Sequence, residues 1–220
     1  MEINSNIKQI NGGVYLVVNP ADNEEILFSK LKRIVEAEIA AVQIWDNFSA
    51  KTNQVSFIDK VCIICHQKGI PVLINNQWQL LNLSKADGVH FDEHPEDIDV
   101  IRKIVNRKCI MGITVNNDLS LVQWANDNSF DYISFCSIFP STTSNSCQLV
   151  KFETITKART ITQMPIFLAG GIQPENIYQL NNLDYDGVAV VSGIMSADDP
   201  FEKANKYFNE LKINNEIINY

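Results

Sequence analysis

Residues 165–172 read PIFLAGGI, and after a gap of helix length residues 186–194 read DGVAVVSGI. Each segment is a short apolar run that ends in glycine just before a polar helix start. After the last two strands of a (β/α)8 barrel, glycine turns leave backbone N–H groups and a helix N-terminus open to an anion. The two segments therefore predict a TIM barrel with a phosphate cup, and they leave the reaction open.

The rest of the chain alternates between short apolar runs and amphipathic segments. Runs that are apolar throughout are typical of parallel strands, which are buried on both faces. The predicted strands are residues 14–18, 41–45, 72–74, 88–91, 110–114, 132–135, 166–168 and 188–191. The predicted helices are residues 22–37, 52–68, 77–84, 96–105, 118–127, 149–161, 174–181 and 198–212.

Eight βα units predict a single α/β domain, a (β/α)8 barrel over residues 13–212. Residues 1–12 would form an N-terminal extension, and residues 213–220 a C-terminal tail that we expect to fray. A doubly wound open sheet is the alternative. It is disfavoured because the first strand ends Val18-Asn19-Pro20, without the glycine fingerprint of that fold.

Composition narrows the class of partner. The 220-residue chain has a net charge of -8, which argues against nucleic acid or an anionic membrane as a partner. No apolar run reaches the length of a membrane span, about 18 residues, and the N-terminus lacks the pattern of a secretory signal. Five cysteines, an odd number, suit reduced thiols. We expect a cytoplasmic protein; its oligomeric state cannot be read from the sequence.

The motif Cys62-x-x-Cys65, followed by His66, has the spacing of a redox or metal-binding pair. It lies inside an amphipathic helical stretch with no second ligand pair. The sequence therefore favours buried helix packing for both cysteines.

In a (β/α)8 barrel the active site lies at the carboxyl ends of the strands. After the second strand, period-two alternation points Gln43, Trp45 and Asn47 the same way, into the barrel mouth. The other strand ends also carry polar residues. They are Asn75 and Asn76 after strand three, residues 90–97 after strand four, Thr114 at the end of strand five, and a hydroxyl-rich loop at 140–144 after strand six.

Taken together, these segments resemble the thiamine phosphate synthase superfamily, which also contains a thiazole tautomerase. The resemblance covers roughly residues 13–200 and keeps the order of every strand. Its best matches are residues 69–75, 86–90, 131–132 with 138–140, 165–172, and 186–188 with 192–194.

The resemblance implies a reaction that joins an aminopyrimidine diphosphate to a thiazole phosphate and releases pyrophosphate. Such chemistry needs positive charge on the pyrophosphate, from Mg²⁺ and from Arg and Lys side chains. This chain departs from the family pattern there. Trp45 and Asn47 stand at the Arg and Lys positions after strand two, Asn76 stands at a metal Asp position, and Ser144 replaces a Lys. The second metal Asp matches near Pro95 or Glu96.

The resemblance also implies roles for individual residues, which remain expectations here. The phosphate cup would be Gly170, Gly171, Val191, Ser192 and Gly193. Thr142 and Thr143 would contact the thiazole phosphate or the leaving pyrophosphate, with Thr114 and His90 as further catalytic candidates. Gln43, Trp45, Asn47 and Asn75 would bind substrate, with Trp45 offering a stacking face. Asn76 with Glu93 or Glu96 would form a weakened Mg²⁺ site.

Three functions stay open on the sequence. The first is a weak or diverged synthase, because the diphosphate end has lost its cations. The second is a metal-independent thiazole phosphate tautomerase, although the His that it uses after strand five falls at Asn116. The third is a non-catalytic phosphate-ligand binder or a partner subunit.

Two local features, a histidine and an acidic run, each allow two interpretations. His90 is either a hydrogen-bonded structural histidine or a catalytic group. The acidic run Asp92, Glu93, Glu96 and Asp97 is either a solvated loop at a helix N-terminus or a residual metal site. His66 and His94 read as helix or surface residues.

Overall fold

The computed structural model describes residues 9–140 and 148–218, and the side chains up to residue 213. Its eight strands are all parallel and close into a barrel in chain order, β1 to β8, so the predicted (β/α)8 fold is confirmed. The strands are β1 Gly13–Val18, β2 Ile39–Ile44, β3 Val72–Asn75, β4 Gly88–Phe91, β5 Ile110–Thr114, β6 Tyr132–Cys136, β7 Ile166–Ala169 and β8 Gly187–Val190.

Seven α-helices are described. They are α1 Glu24–Ile34, α2 Gln54–His66, α3 Ile98–Val105, α4 Leu119–Asp127, α5 Phe152–Ile161, α6 Ser192–Met195 and α7 Pro200–Ile218. Helix α7 extends beyond residue 212, the predicted end of this helix. No described helix has the length and apolarity needed to cross a membrane.

Two predicted helices differ from the observed ones. The segments after β3 and β7 form short 3-10 helices, Trp78–Asn82 and Pro174–Leu180. Both segments close with the tighter i to i+3 hydrogen bond, and apolar periodicity does not distinguish such a helix from a short α-helix. Helix α6 is missing from the predicted helix ranges, because four residues are too few to show a period; only a helix N-terminus after the last strand was expected.

Alternate residues of the strands build two cores. Val14, Leu16 and their counterparts pack between the sheet and the helices, whereas Tyr15, Tyr132 and Phe167 belong to a separate cluster inside the barrel. The three inner rings touch one another, with centroids 5.5 to 5.8 Å apart. These rings fill the barrel and bring two buried hydroxyl groups, those of Tyr15 and Tyr132, close together.

Cys62 and Cys65 are fully buried on α2, as predicted for helix packing. Burial raises the pKa of both thiols, to about 12 for Cys65. Both groups therefore stay protonated near neutral pH, which suits a packing role rather than thiolate chemistry.

Gly112 in β5 provides a test of the inner core. A Cβ at this position would lie 2.0 Å from Cζ of Tyr132. We expect Gly112→Ala to lower the free energy of unfolding by about 3 kcal/mol, because overpacking forces the ring and strand apart. Urea unfolding would measure this. In the control Gly69→Ala the added Cβ meets nothing within 4 Å, so only the cost of a positive φ, about 1 kcal/mol, applies. A Gly112→Ala variant no less stable than the control would contradict the packing described.

Candidate active site

A cavity of about 700 Å³ lies at the carboxyl ends of the strands. Most of the predicted site residues line it: Gln43, Trp45, Asn75, His90, Glu93, Thr114, Gly170, Gly171, Val191, Ser192 and Gly193. Asn47 is exposed and donates from Nδ2 to Oδ1 of Asn19 at 3.2 Å. Asn76 and Glu96 are not among the residues that line the cavity. Thr142 and Thr143 lie outside the described residues.

Glycine turns after β7 form one side of the cavity. Gly170 and Gly171 have φ angles of 90° and 66°, which side-chain-bearing residues rarely adopt. A Cβ on Gly170 would lie 2.0 Å from Oγ of Ser137, and one on Gly171 would lie 2.6 Å from the carbonyl oxygen of Pro140. Only glycine fits at either position, so this turn presents bare backbone to the cavity.

Helix α6 begins beside this turn. Val191, Ser192 and Gly193 all line the cavity at the start of α6. The first N–H groups of a helix have no carbonyl partner within the helix and carry partial positive charge. Together with the turn after β7, they make this side of the cavity suitable for a phosphate group.

A hydrogen-bonded polar layer lies between the inner aromatic core and the cavity. The Tyr15 hydroxyl donates to Oε1 of Gln43 at 2.8 Å and lies 2.8 Å from the Tyr132 hydroxyl. Gln43 in turn donates from Nε2 to Oδ1 of Asn75. His90 lies between Tyr132 and Thr114, with Nδ1 2.9 Å from the Tyr132 hydroxyl and Nε2 2.9 Å from the Thr114 hydroxyl.

Two carboxylates, Asp46 and Asp92, meet at Asn76. The Nδ2 group of Asn76 donates to an oxygen of each, at 2.9 Å in both cases, so these oxygens lie no more than about 6 Å apart. Asn76 also accepts a bond from the backbone N–H of Asp92 at 2.9 Å. Asp92 additionally accepts from Nδ2 of Asn75 at 2.8 Å. Asn76 thus holds two acidic side chains together beside the cavity.

Sequence patterns did not indicate Tyr15, Tyr132 or Asp46 as site residues, and they placed Asp92 only within an acidic run. A signal existed for the two acids, because each follows directly or within two residues of a strand end. The tyrosines gave a weaker signal, since an aromatic residue within an apolar strand reads as core.

Charge within the cavity is unbalanced. Among the described residues that line it, Asp92 and Glu93 are acidic and none is Lys or Arg. No group of three or more His, Cys, Asp or Glu side chains comes together as a metal site in the described part of the chain. A highly charged anion bound near Asp92 would therefore need a cation that these side chains do not provide.

Burial sets the protonation of His90. Removal from water lowers its pKa from 6.5 to about 4, and the nearby Asp92 carboxylate only partly opposes this effect. His66 behaves oppositely, because its hydrogen bond to Asp87 at 2.8 Å raises its pKa. His90 is therefore neutral near pH 7.

These shifts predict different titrations for the two histidines. In NMR spectra of the imidazole C–H groups, His66 should titrate above pH 6.5 and His90 only near pH 4. The unfolded chain takes up a proton at His90 near pH 6.5, whereas the folded protein does so only near pH 4. Acidification from pH 6.5 towards pH 4 should therefore lower the free energy of unfolding by about 2–3 kcal/mol. Variants His66→Gln and His90→Gln assign the signals. A His90 signal that titrates near 6.5 would contradict its burial.

The family model described as thiamine monophosphate synthase matches residues 14–194. A thiamine-phosphate synthase of Hydrogenobaculum sp. (strain Y04AAS1) is 31% identical over 205 residues, covering 91% of this chain and 94% of that protein. One of Azoarcus sp. (strain BH72) is 26% identical over 195 residues, covering 89% and 95%.

Among solved structures, thiamine phosphate pyrophosphorylase from Pyrococcus furiosus superimposes with a TM-score of 0.79 at 17% identity. The match covers 93% of this chain and 98% of that one, and it supports the barrel fold. The family model spans well over half of the chain. The relatives found by sequence carry the same family description. The chain belongs to the thiamine monophosphate synthase family.

Proposed function

We propose that this protein catalyses the coupling of an aminopyrimidine diphosphate to a thiazole phosphate. In this reaction the bond from the pyrimidine methylene carbon to the diphosphate oxygen breaks, and its electron pair leaves with pyrophosphate. The lone pair of the thiazole nitrogen then forms the new carbon–nitrogen bond. The product is thiamine phosphate.

One observation carries the proposal: the cavity has two chemically different sides. In a closed barrel of eight strands in chain order, β7 and β8 lie across from β3 and β4. The glycine turn and α6, which suit a monophosphate, therefore lie across the cavity from Asn75 and Asp92. A cavity of about 700 Å³ is large enough for two small heterocycles.

Asp46 and Asp92 fit Mg²⁺ at the second side. Mg²⁺ is commonly held by one or two carboxylates together with water and substrate phosphates. When bound, it would offset the charge of the diphosphate. We assign the carboxylate role to this pair rather than to Glu93 or Glu96, because Asn76 already holds both acids beside the cavity.

Binding measurements test the two sides separately. Calorimetric titration should show that thiazole phosphate binds with or without Mg²⁺, because backbone N–H groups hold its phosphate. Pyrophosphate should bind with Mg²⁺ and lose most of its affinity in excess chelator. Equal pyrophosphate affinity under both conditions, or no binding of thiazole phosphate, would contradict the assignment. Isomerisation of the thiazole without coupling would instead favour the tautomerase.

We further propose that the reaction is slow relative to family members with cationic side chains at the diphosphate end. Trp45 lines the cavity where the family pattern has Arg, and Asn47 follows where it has Lys. Each preorganised charge at such a site typically contributes about 10²-fold or more in rate.

The double variant Trp45→Arg/Asn47→Lys should therefore raise kcat/KM for pyrophosphate release at least about tenfold. The added cations would stabilise charge that develops on the leaving group. Steady-state assays at saturating Mg²⁺ measure this, with Trp45→Gln/Asn47→Gln as a neutral control. A charged variant no faster than the control would show that these positions do not limit the rate.

A further inference from the structure

A continuous series of hydrogen bonds crosses the floor of the cavity, and we call it the hydrogen-bond chain. Its members, in order, are Thr114, His90, Tyr132, Tyr15, Gln43, Asn75 and Asp92. All but the two end residues are at most 6% exposed. Several of these bonds could in isolation run in either direction, since a hydroxyl or an imidazole nitrogen can donate or accept.

Asp92 fixes the direction at one end, because a carboxylate can only accept. Asn75 must therefore donate to it from Nδ2, at 2.8 Å, which leaves Oδ1 of Asn75 to accept from Nε2 of Gln43. The Gln43 amide is thereby turned so that Oε1 accepts from the Tyr15 hydroxyl at 2.8 Å.

The remaining bonds follow from counting protons. Tyr15 has one hydroxyl proton, and it donates this proton in its hydrogen bond to Gln43. Tyr132 must therefore donate to Tyr15 across the 2.8 Å between the two hydroxyls. Tyr132 can then only accept from His90, so Nδ1 of His90 carries the proton. Nε2 is left with its lone pair and accepts from the Thr114 hydroxyl.

We propose that Asp92 is a positioning residue that sets the direction of the hydrogen-bond chain. Through it, His90 is held as the Nδ1–H tautomer, and the Gln43 amide is held with Nε2 towards Asn75. Gln43 lines the cavity, and its second Nε2 hydrogen has no partner within the described ranges. That hydrogen is available to an acceptor atom of a ligand ring.

The use of this donor in binding rests on the proposed function, whereas the tautomer belongs to the free protein. The opposite direction would place a proton acceptor in the same position, because the Gln43 amide would be turned over. The hydrogen-bond chain thus selects ligands whose ring presents a hydrogen-bond acceptor to Gln43. Asp92 exerts this selection without contact to the Gln43 side chain.

The tautomer is measurable in the full-length protein without ligand. Two-bond ¹H–¹⁵N correlation spectra of ¹⁵N-histidine protein at pH 7.5 distinguish protonated from unprotonated ring nitrogens. For His90 we expect protonated Nδ1 and unprotonated Nε2. Protonated Nε2, or protonation of both nitrogens, would overturn the proposal.

The Asp92→Asn variant tests the origin of the direction. An asparagine can donate as well as accept, so the reversed chain becomes available and the Nδ1–H to Nε2–H ratio should fall about tenfold or more. The matched control is Asp46→Asn, which loses the same charge beside Asn76 without touching Asn75. An unchanged ratio in Asp92→Asn, or an equal fall in both variants, would overturn the role of Asp92.

A break in the middle of the hydrogen-bond chain distinguishes two explanations. The effect of Asp92 could pass through the hydrogen bonds, or it could come from a change in the local electric field. In a Tyr15→Phe background the Tyr132 hydroxyl loses its bond to Tyr15 and keeps the bond to His90. Asp92→Asn should then leave the His90 tautomer unaffected. A tautomer that still responded would overturn transmission through the chain. Because no substrate is present, failure here leaves the proposed coupling reaction standing, and failure of coupling leaves the tautomer assignment standing.

Discussion

Replacement of Asp46 and Asp92 together by asparagine is expected to lower kcat/KM for pyrophosphate release by about 10³-fold or more. Both carboxylates contact one Asn76 amide at 2.9 Å and lie beside a cavity that has no Lys or Arg among its described lining residues. Without them the diphosphate end loses the groups that we propose for Mg²⁺. Steady-state assays over a range of Mg²⁺ concentrations would measure the loss.

A charge-matched control separates this effect from a change in net charge. Asp99→Asn/Asp127→Asn removes two exposed carboxylates on α3 and α4 that do not line the cavity. Its rate should stay close to that of the unmodified protein. Thiazole phosphate should bind the Asp46→Asn/Asp92→Asn protein normally, because we place its phosphate at the glycine turn across the barrel. A rate within tenfold of the unmodified protein would contradict the assignment of the two acids.

Gly170→Ala is expected to weaken thiazole phosphate binding by about 10²-fold. Gly170 has a φ of 90°, and an added Cβ would lie 2.0 Å from Oγ of Ser137, so the turn must move. Charge-assisted hydrogen bonds contribute about 1.5–3 kcal/mol each, and loss of one or two accounts for the effect. Calorimetric titration with thiazole phosphate would measure it.

The control for this variant is Gly69→Ala. Gly69 also has a positive φ, 66°, but it follows α2, away from the cavity, and its added Cβ would meet nothing within 4 Å. Gly69→Ala should lower the free energy of unfolding without changing the affinity for thiazole phosphate. Thermal unfolding confirms that both variants are folded. Unchanged affinity in Gly170→Ala would show that the turn after β7 does not hold the phosphate.

The barrel was predictable because parallel strands leave a strong pattern in the sequence. All eight predicted strands agree with the observed ones to within two residues at each end, and β4 and β5 agree at both ends. Each is buried on both faces and therefore reads as a continuous apolar run. The helix predictions for residues 77–84 and 174–181 were less accurate, since a short 3-10 helix and a short α-helix share similar apolar spacing.

Parts of the site could be predicted for a similar reason. Gly170 and Gly171 are recognisable because a strand that ends in two glycines has few structural alternatives. The hydrogen-bond chain was not predictable, because it joins residues from six different strands and their ends, and its bonds depend on the closure of the barrel. Asp46 and Asp92 are 46 positions apart in sequence, and only the fold brings both to Asn76.

The central claim is that the two sides of the cavity act together on two substrates. Its most direct test is incubation of the protein with the aminopyrimidine diphosphate, the thiazole phosphate and Mg²⁺, with product identified by mass spectrometry. We predict that thiamine phosphate and pyrophosphate form in equal amounts, and that both depend on the protein. Absence of thiamine phosphate above background, from protein that still binds thiazole phosphate, would contradict the claim.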